Sequence, residues 1–329
     1  MNIYYHLSHY ISHRNAGMDY IVGLKNLGLN LVHDINDADV IILHDDPLNY
    51  SNVLRLVSKS RYRKIIAYSV WETEDLPLQY LEPLRLVDEI WTCTPFSATA
   101  FLKHFEKVRV LEHVVSRVEP SIDDLMRITS RIGHHEDGFY FYSIVDSVNP
   151  RKNLRSLLDV FAKNFHSHKN VHLVVKQYRH AVDLASLPQV ISIDKDLSPG
   201  ELSALHRFCD CYISLHHAEA WGLTISDAMF FGNPVIATGY SGNMHYMSEA
   251  NSYPVNHFLD HVHEEMCRRI PLYRPEMKWA YPDLRHAGYL MKKLSRDKKN
   301  PKLRNAIKDM SAFGLTEITH KMRSLLELP

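Results

Sequence analysis

The sequence predicts an α/β protein built from two doubly wound domains, each organised around a parallel β-sheet. Two observations lead to this class. Short apolar runs alternate with helical patterns along the chain, which is typical of parallel sheets covered by helices on both faces. The chain also has 329 residues, of which 45% are hydrophobic, enough for two cores of ordinary size but unusually large for one domain.

In the first half of the chain, five β-type runs alternate with three helical patterns. The strands are expected at residues 2–7, 40–44, 64–70, 89–93 and 108–114. The helices are expected at residues 18–29, 47–59 and 96–105. Ligands of such sheets bind beyond the carboxyl ends of the strands, so the candidate binding loops are residues 8–17, 44–46 and 71–75.

The second half repeats this alternation after a polar stretch at residues 130–138, which has no apolar period and is typical of a linker. The strands are expected at residues 139–145, 171–176, 190–193, 211–215 and 235–238. The helices are expected at residues 154–165, 199–208, 223–231 and 302–326. The predicted divisions are residues 1–132, residues 133–300 and a terminal helical segment at residues 301–329.

Bulk composition excludes several classes of protein. Lysine and arginine number 38 and aspartate and glutamate number 38, so no global basic field favours nucleic acid as a partner. The four cysteines form no dense, even framework, and neither a signal-like start nor an apolar run of membrane length is present. We therefore expect a reduced, cytoplasmic protein.

The most informative stretch is residues 214–243, which follows a β-type run and leads into another. A helix is predicted to begin at Gly222, and the free N–H groups of Gly222, Leu223 and Thr224 at its positive end would favour a phosphate. Glu219 lies in the loop before this helix, and Asp227 lies within it. Two carboxylates beside an anion site suit hydroxyl groups, as on a sugar and a ribose.

The segment GLTISDAMFFGNPVIATGYSGN resembles the donor-binding signature of retaining glycosyltransferases of the GT-B fold, in the large Glu-x7-Glu family that includes glycosyltransferase family 4. Here the signature consists of Glu219, seven residues and Asp227, with aspartate in place of the second glutamate. Residues 71–77 and 88–103 also resemble one branch of these enzymes. The resemblance implies two Rossmann-like domains that face each other across a cleft. It also implies a terminal helix that crosses back onto the first domain, although the apolar spacing suits packing in the second domain equally well.

The resemblance assigns donor-binding roles to five positions. Glu219 would hold hydroxyls of the donor sugar, and Asp227 the ribose. In the loop DSVNPRKN, Lys152 matches a lysine that holds the diphosphate, whereas Asp146 stands at the usual position of an arginine and Arg151 is its expected replacement. The alternative for Arg151 and Lys152 is a pair of solvated cations at a helix start. Lys176 matches a lysine near the nucleotide in some branches, with a solvated strand end as the alternative.

On the acceptor side, the resemblance implies a loop before the first helix that faces both substrates, here containing Arg14 and Gly17. Glu72 is the remaining candidate, as a contact for acceptor hydroxyls, with a solvated loop acid as the alternative.

Two pairs of aspartates could bind a metal ion, because glycosyltransferases of the other major fold bind one through an Asp-x-Asp motif. Asp37 and Asp39 have that spacing, as do Asp194 and Asp196. Turn and capping roles explain both pairs, and fixed cations with helix N–H groups can stabilise a departing diphosphate without a metal. We therefore expect no metal and no cofactor, with the nucleoside diphosphate sugar as a substrate.

The resemblance thus implies a retaining hexosyltransferase that moves a hexose from a nucleoside diphosphate sugar to a hydroxyl of a glycan or lipid-linked saccharide. The expected setting is synthesis of a cell-surface polysaccharide, with a peripheral contact at the inner membrane face. A nucleotide-sugar epimerase on the same fold and a noncatalytic sugar-nucleotide binding module are the alternatives.

Overall fold

The structure, a computed structural model, describes residues 1–58, 63–133, 135, 137–297 and 300–328, apart from the side chain of Ser12. Three residues that the sequence analysis placed in elements lie outside this part: Lys59 in the second predicted helix, and His134 and Glu136 in the predicted linker.

The first sheet has six parallel strands, in the spatial order β2-β1-β3-β4-β5-β6. The strands are β1 (Asn2–Leu7), β2 (Asn30–Leu31), β3 (Val40–His44), β4 (Lys64–Tyr68), β5 (Glu89–Thr92) and β6 (Val108–Val110). The helices between and after them are α1 (Ile11–Asn26), α2 (Tyr50–Leu54), α3 (Leu78–Leu84), α4 (Pro95–Leu102) and α5 (Ile122–Ile132). The strand β3 is buried along its whole length, as expected for a parallel strand covered on both faces.

The second sheet also has six parallel strands, in the order β12-β11-β10-β7-β8-β9. The strands are β7 (Phe139–Asp146), β8 (Val171–Tyr178), β9 (Val190–Ile193), β10 (Cys211–Ser214), β11 (Val235–Thr238) and β12 (Tyr253–Val255). The helices among them are α6 (Leu154–Phe165), α7 (Pro199–Phe208) and α8 (Leu223–Phe230). These two sheets confirm the predicted pair of doubly wound domains.

The rest of the described chain forms a small antiparallel hairpin and four α-helices. The hairpin pairs β13 (His257–His261) with β14 (Lys278–Pro282) around α9 (Glu264–Arg269). The helices α10 (Leu284–Arg296), α11 (Leu303–Ser311) and α12 (Leu315–Leu325) follow. No helix within the described residues has the length and apolar character needed to span a membrane.

The last helix, α12, crosses back to the first domain, where it packs against α1. The fit is close, because a Cβ atom added to Gly23 of α1 would lie 2.3 Å from the Met322 methyl carbon. Lys321 adds an ion pair with Glu112, which lies in the connection between the two sheets, at 2.6 Å. The predicted single helix at residues 302–326 is in fact two helices, α11 on α8 and α12 on α1.

The predicted loop at residues 8–17 was wrong, because α1 begins at Ile11. Arg14 and Gly17 therefore lie inside the helix. Gly17 is required there for packing: a Cβ atom at this position would lie 2.3 Å from Leu7 Cδ1 and 2.9 Å from His44 Nδ1. The glycine allows α1 to lie against the ends of β1 and β3.

The sequence analysis missed α3 and α5. The helix α5 packs against α7, and Arg131 on α5 pairs with Glu201 on α7 at 3.2 Å. A division of the chain between residues 132 and 133 stays a prediction, and these contacts favour a division ahead of α5.

Candidate functional site

The candidate site lies where the strand order of the second sheet reverses. The chain runs from β7 outward to β9, then returns to the other side of β7 to form β10, β11 and β12. The loops after β7 and β10 therefore leave adjacent strands at the same edge, which is where a ligand-binding crevice is expected in a sheet of this kind. The first loop carries Arg151 and Lys152, and the second carries Glu219.

Local structure fixes the two cations in the first loop. Pro150–Lys152 form one turn of 3-10 helix, and the side chain of Asn149 accepts a hydrogen bond from Arg151 N at 3.1 Å. Asn153 then adopts a left-handed conformation with φ of 52°, and its amide donates to Leu215 O in the neighbouring loop at 2.8 Å. Both basic side chains are thereby directed towards the second loop.

Four side chains form an ion-pair cluster in the crevice: Glu72, Arg151, Lys152 and Glu219. Arg151 donates from Nη1 to Glu219 Oε2 at 3.0 Å and to Ala218 O at 2.6 Å. Its Nη2 lies 3.1 Å from Glu72 Oε1, which belongs to the first domain. Lys152 Nζ donates to the other oxygen of Glu219. The predicted basic pair and signature glutamate therefore occupy one site.

Burial and pairing shift the pKa values within this cluster. Burial alone would raise the pKa of Glu219, but the charges of Lys152 and Arg151 outweigh it and lower the pKa from 4.5 to about 2. Burial lowers the pKa of Lys152, an effect that Glu219 opposes and the positive charge of Arg151 reinforces. Burial also acts to lower the pKa of Arg151, but Glu72 and Glu219 raise it. The cluster thus holds two cations beside two carboxylates.

The helix start beside the cluster has the predicted geometry. Gly222 precedes α8 with φ of 87°, a left-handed conformation that glycine adopts without strain. Tyr246 holds this turn by donating its hydroxyl hydrogen to the carbonyl of Trp221 at 2.8 Å or of Gly222 at 2.9 Å. The first N–H groups of α8 have no partner within the helix, as at any helix start. The Thr224 hydroxyl hydrogen-bonds to the Tyr212 hydroxyl at 2.6 Å.

The Ser241–Gly242 pair, which the sequence analysis quoted without assigning a role, holds the Glu219 loop. Glu219 N donates to Ser241 Oγ at 2.8 Å, and Gly242 N donates to Glu219 O at 2.8 Å. A Cβ atom at Gly242 would lie only 1.8 Å from Ala220 O. The glycine is therefore needed for two backbone segments to meet directly beneath Glu219.

The second acid of the signature, Asp227, lies on α8 and is paired with a residue that no motif indicated. Arg117 Nη2 lies 2.8 Å from Asp227 Oδ1, and Arg117 Nη1 lies 3.8 Å from Asp19 Oδ2 on α1. Burial raises the pKa of Asp227, against the opposing charge of Arg117. Burial likewise raises the pKa of Asp19 to about 6, with Arg117 opposing and Asp227 reinforcing the shift.

Of the remaining predicted positions, Glu72 belongs to this cluster, Arg14 and Gly17 lie on α1, and Lys176 lies in β8. Arg14 is exposed on α1, and the acceptor roles of Arg14 and Gly17 stay predictions. Glu72 is not a freely solvated loop acid, since its other oxygen accepts a hydrogen bond from Tyr273 at 3.0 Å. Lys176 is fully buried inside β8, where it donates to Gln177 O, so its predicted alternative as a solvated strand end was wrong. Its role near the nucleotide stays a prediction.

Two histidines beside Glu219 have packing roles in this structure. His216 hydrogen-bonds to Asn243 at 3.1 Å, and His217 donates to Ala280 O at 2.6 Å while it stacks on Trp279. Burial lowers the pKa of each to about 4, so both are neutral at pH 7. Neither is poised as a cation for a phosphate.

Two other features bear on where the functional site lies, possible metal-binding groups and a surface cavity. Within the described part of the chain, no group of three or more His, Cys, Asp or Glu side chains could hold a metal ion. A surface cavity of about 360 Å³ lies between β13 and α10, lined in part by His257, Phe258 and Asp283, and includes none of the cluster residues. We favour the crevice over this cavity as the functional site, because the opposed charges and the helix start converge in the crevice.

Comparisons with known proteins agree with this fold. Residues 128–259 match the family model of the glycosyl transferases group 1. No curated protein sequence matches the chain. The fold is similar to that of HepE from Anabaena, solved in complex with UDP-glucose, at 12% identity with a TM-score of 0.67 and 99% of both chains covered.

Two further solved structures share the fold. Sucrose-phosphate synthase from Thermosynechococcus elongatus is 12% identical, with a TM-score of 0.68 and coverage of 99% of this chain and 98% of that one. The pneumococcal O-GlcNAc transferase GtfA, in complex with UDP and GlcNAc, is 12% identical, with a TM-score of 0.60 and coverage of 94% of this chain and 59% of that one. These matches confirm the predicted GT-B architecture, and the family model confirms the predicted enzyme class.

We expect Gly242→Ala to disturb the site from beneath. The new methyl group would collide with the Ala220 carbonyl, so the Glu219 loop must move, at a cost of about 1–3 kcal/mol in the free energy of unfolding. Affinity for nucleoside diphosphates, measured by calorimetry, should fall about tenfold, equivalent to ~1.4 kcal/mol. Gly314→Ala is the matched control, since its new methyl group would meet the end of the flexible Glu317 side chain. Equal effects of the two substitutions would contradict the role of Gly242.

The Glu219 pKa predicts how stability depends on pH. Because the folded pKa of about 2 lies below the ordinary 4.5, ionised Glu219 stabilises the fold above pH 4.5, and this contribution is lost as pH falls towards 2. The contribution is on the order of 3 kcal/mol. Glu219→Gln should therefore flatten the decline of unfolding free energy between pH 5 and pH 2, measured by denaturant titration. Glu264→Gln, at an exposed ion pair, should leave the slope unchanged; no difference between the two variants would refute the assignment.

Proposed function

We propose that this chain, a GT-B glycosyltransferase with a group 1 domain at residues 128–259, is a retaining hexosyltransferase that uses a nucleoside diphosphate sugar and requires no metal ion. The observation that carries the proposal is the convergence of Arg151, Lys152 and the start of α8 on one crevice, with Glu219 between the cations. A UDP-sugar is the first donor to test, because HepE was solved with UDP-glucose and GtfA with UDP.

Charge balance supports binding of a diphosphate at this site. Within the cluster, each cation is paired with carboxylates from the chain itself. A diphosphate would offer Arg151 and Lys152 oxygens with more negative charge, together with the N–H groups at the start of α8. Glu219, released from one or both cations, would then accept hydrogen bonds from the donor sugar hydroxyls.

The proposed reaction breaks the bond between the anomeric carbon and the phosphate oxygen and forms a bond from that carbon to the acceptor oxygen. The acceptor proton passes to the departing phosphate oxygen on the same face of the sugar, which retains the anomeric configuration. The negative charge that develops on the diphosphate is stabilised by Arg151, Lys152 and the helix start. This route needs no carboxylate nucleophile, unlike the usual retaining glycosidase mechanism.

The acceptor would enter from the first domain, whose residues face the cluster. Glu72 comes from the segment after β4, and Thr94 at the start of α4 donates to Ala220 O at 3.0 Å, so the two domains meet beside the crevice. We propose a glycan or lipid-linked saccharide as the acceptor class, in the synthesis of a cell-surface polysaccharide. A peripheral contact with the inner membrane face would follow from a lipid-linked acceptor.

The test begins with thermal shifts for UDP, GDP and ADP, followed by turnover of the matching glucose donor without an acceptor. We expect slow release of nucleoside diphosphate that is insensitive to EDTA, with early NMR spectra showing retained configuration in the freed sugar. Lys152→Met should slow release about 10²–10³-fold, because the leaving diphosphate loses a fixed cation. Lys163→Met, on the exposed face of α6, is the control and should act as wild type.

Other outcomes separate the alternatives. Conversion of the donor to an epimer without release would indicate an epimerase, and nucleotide stabilisation without turnover, even with acceptors, would indicate a binding module. Loss of release in EDTA would contradict metal independence. Equal activity of the two lysine variants would contradict the assigned diphosphate site.

A further inference from the structure

We propose that Arg117 is a positioning residue for ribose recognition, acting through Asp227. This inference rests on the proposed function, since it concerns the nucleotide part of the same donor site. Asp227 stands where the signature has glutamate, so its carboxylate reaches about 1.5 Å less far, one carbon–carbon bond. The structure places a guanidinium against this shortened side chain.

Arg117 and Asp227 form a direct ion pair. Arg117 Nη2 lies 2.8 Å from Asp227 Oδ1, a buried oxygen that makes this ion pair without hydrogen-bond geometry, while 17% of the Asp227 side chain remains exposed. The attraction between opposite charges at this distance draws one carboxylate oxygen towards Arg117 and leaves the other free to face a ligand. The second oxygen of Asp227 is then held in position to accept a hydrogen bond from a hydroxyl group. It would take the role that the longer and more flexible glutamate has in the signature.

Arg117 is itself contacted by residues on two sides. The residue lies in the irregular connection between β6 and α5, and its Nη1 donates to Ser116 O at 2.8 Å. Asp19, on α1 of the first domain, approaches the same nitrogen to 3.8 Å. The guanidinium is therefore held from the interdomain connection on one side and from α1 on the other.

Asp227 lies close in sequence to the predicted phosphate site at the start of α8. Asp227 lies in the second turn of α8, five residues after Gly222, whose turn begins the helix. A nucleotide with its diphosphate at the start of α8 would extend past the first turn, with its ribose near Asp227. Arg117 thus adds a residue from outside the signature to the nucleotide site.

The experiment measures binding of UDP, 2′-deoxy-UDP and 3′-deoxy-UDP by calorimetry. If wild type prefers UDP over at least one deoxy form by about tenfold, as expected for a hydrogen bond to a charged group, the ribose contact is present. Arg117→Ala should weaken UDP binding about tenfold and leave the deoxy form nearly unchanged, so that the preference approaches one. The double variant Arg117→Ala with Asp227→Glu should recover the preference, because the longer carboxylate reaches the ribose unaided. Arg127→Ala, at an exposed ion pair on α5, is the control.

The outcomes also distinguish this inference from the function on which it rests. If wild type binds no nucleoside diphosphate, the proposed donor site fails. If wild type prefers UDP and Arg117→Ala keeps that preference, the inference alone is overturned. Should Arg117→Ala fold poorly, a crystal structure of wild type with UDP decides: an intact Arg117–Asp227 pair with Asp227 on the ribose supports the inference, and a broken pair contradicts it.

Discussion

The structure depends on one electrostatic constraint, the pairing of two cations and two carboxylates where the loops after β7 and β10 meet the first domain. Arg151 and Glu219 are buried, whereas Lys152 and Glu72 are half-buried. A buried charge is costly unless it is paired, and removal of one member of a buried pair typically costs about 3–5 kcal/mol. Glu219 meets this requirement by pairing with Arg151 and Lys152, while Glu72 adds a second carboxylate to Arg151. The charges of the cluster are thus balanced by groups that can also bind a ligand.

This constraint links the donor site to the arrangement of the two domains. Glu72 and Asp19 belong to the first domain, yet each contacts an arginine that also contacts an acid of the signature. The helix α12 ties the end of the chain to α1, the helix that carries Asp19. A diphosphate that takes Arg151 from Glu72 would therefore loosen one contact between the domains. Donor binding and domain movement would then be coupled through the same side chains.

The sequence was informative where a local pattern determines the structure. The alternation of strands and helices predicted both sheets, and the segment around Gly222 predicted where α8 begins. The left-handed conformation of Gly222 is one that glycine adopts without strain. The start of α1 was predicted too late, because Arg14 and Gly17 are residue types common in loops. Gly17 lies in the helix because it packs on Leu7 and His44. That packing is a tertiary contact, which no local pattern records.

Some residues of the candidate site could be predicted from the sequence and others could not. Arg151, Lys152 and Glu219 could be predicted together, because residues after parallel strands meet at one edge of a sheet. Arg117 and Tyr273 could not, since each reaches the site from a segment without a recognisable motif. Ser241 and Gly242 were visible in the signature, but their role beneath Glu219 depends on a backbone contact between distant segments.

A crystal structure of the protein with bound UDP tests the central claim most directly. Our account predicts diphosphate oxygens within hydrogen-bond distance of Arg151, Lys152 and the first N–H groups of α8, with the pairing of Glu219 rearranged. A diphosphate bound elsewhere, with Arg151 and Lys152 still paired to Glu72 and Glu219, would contradict it.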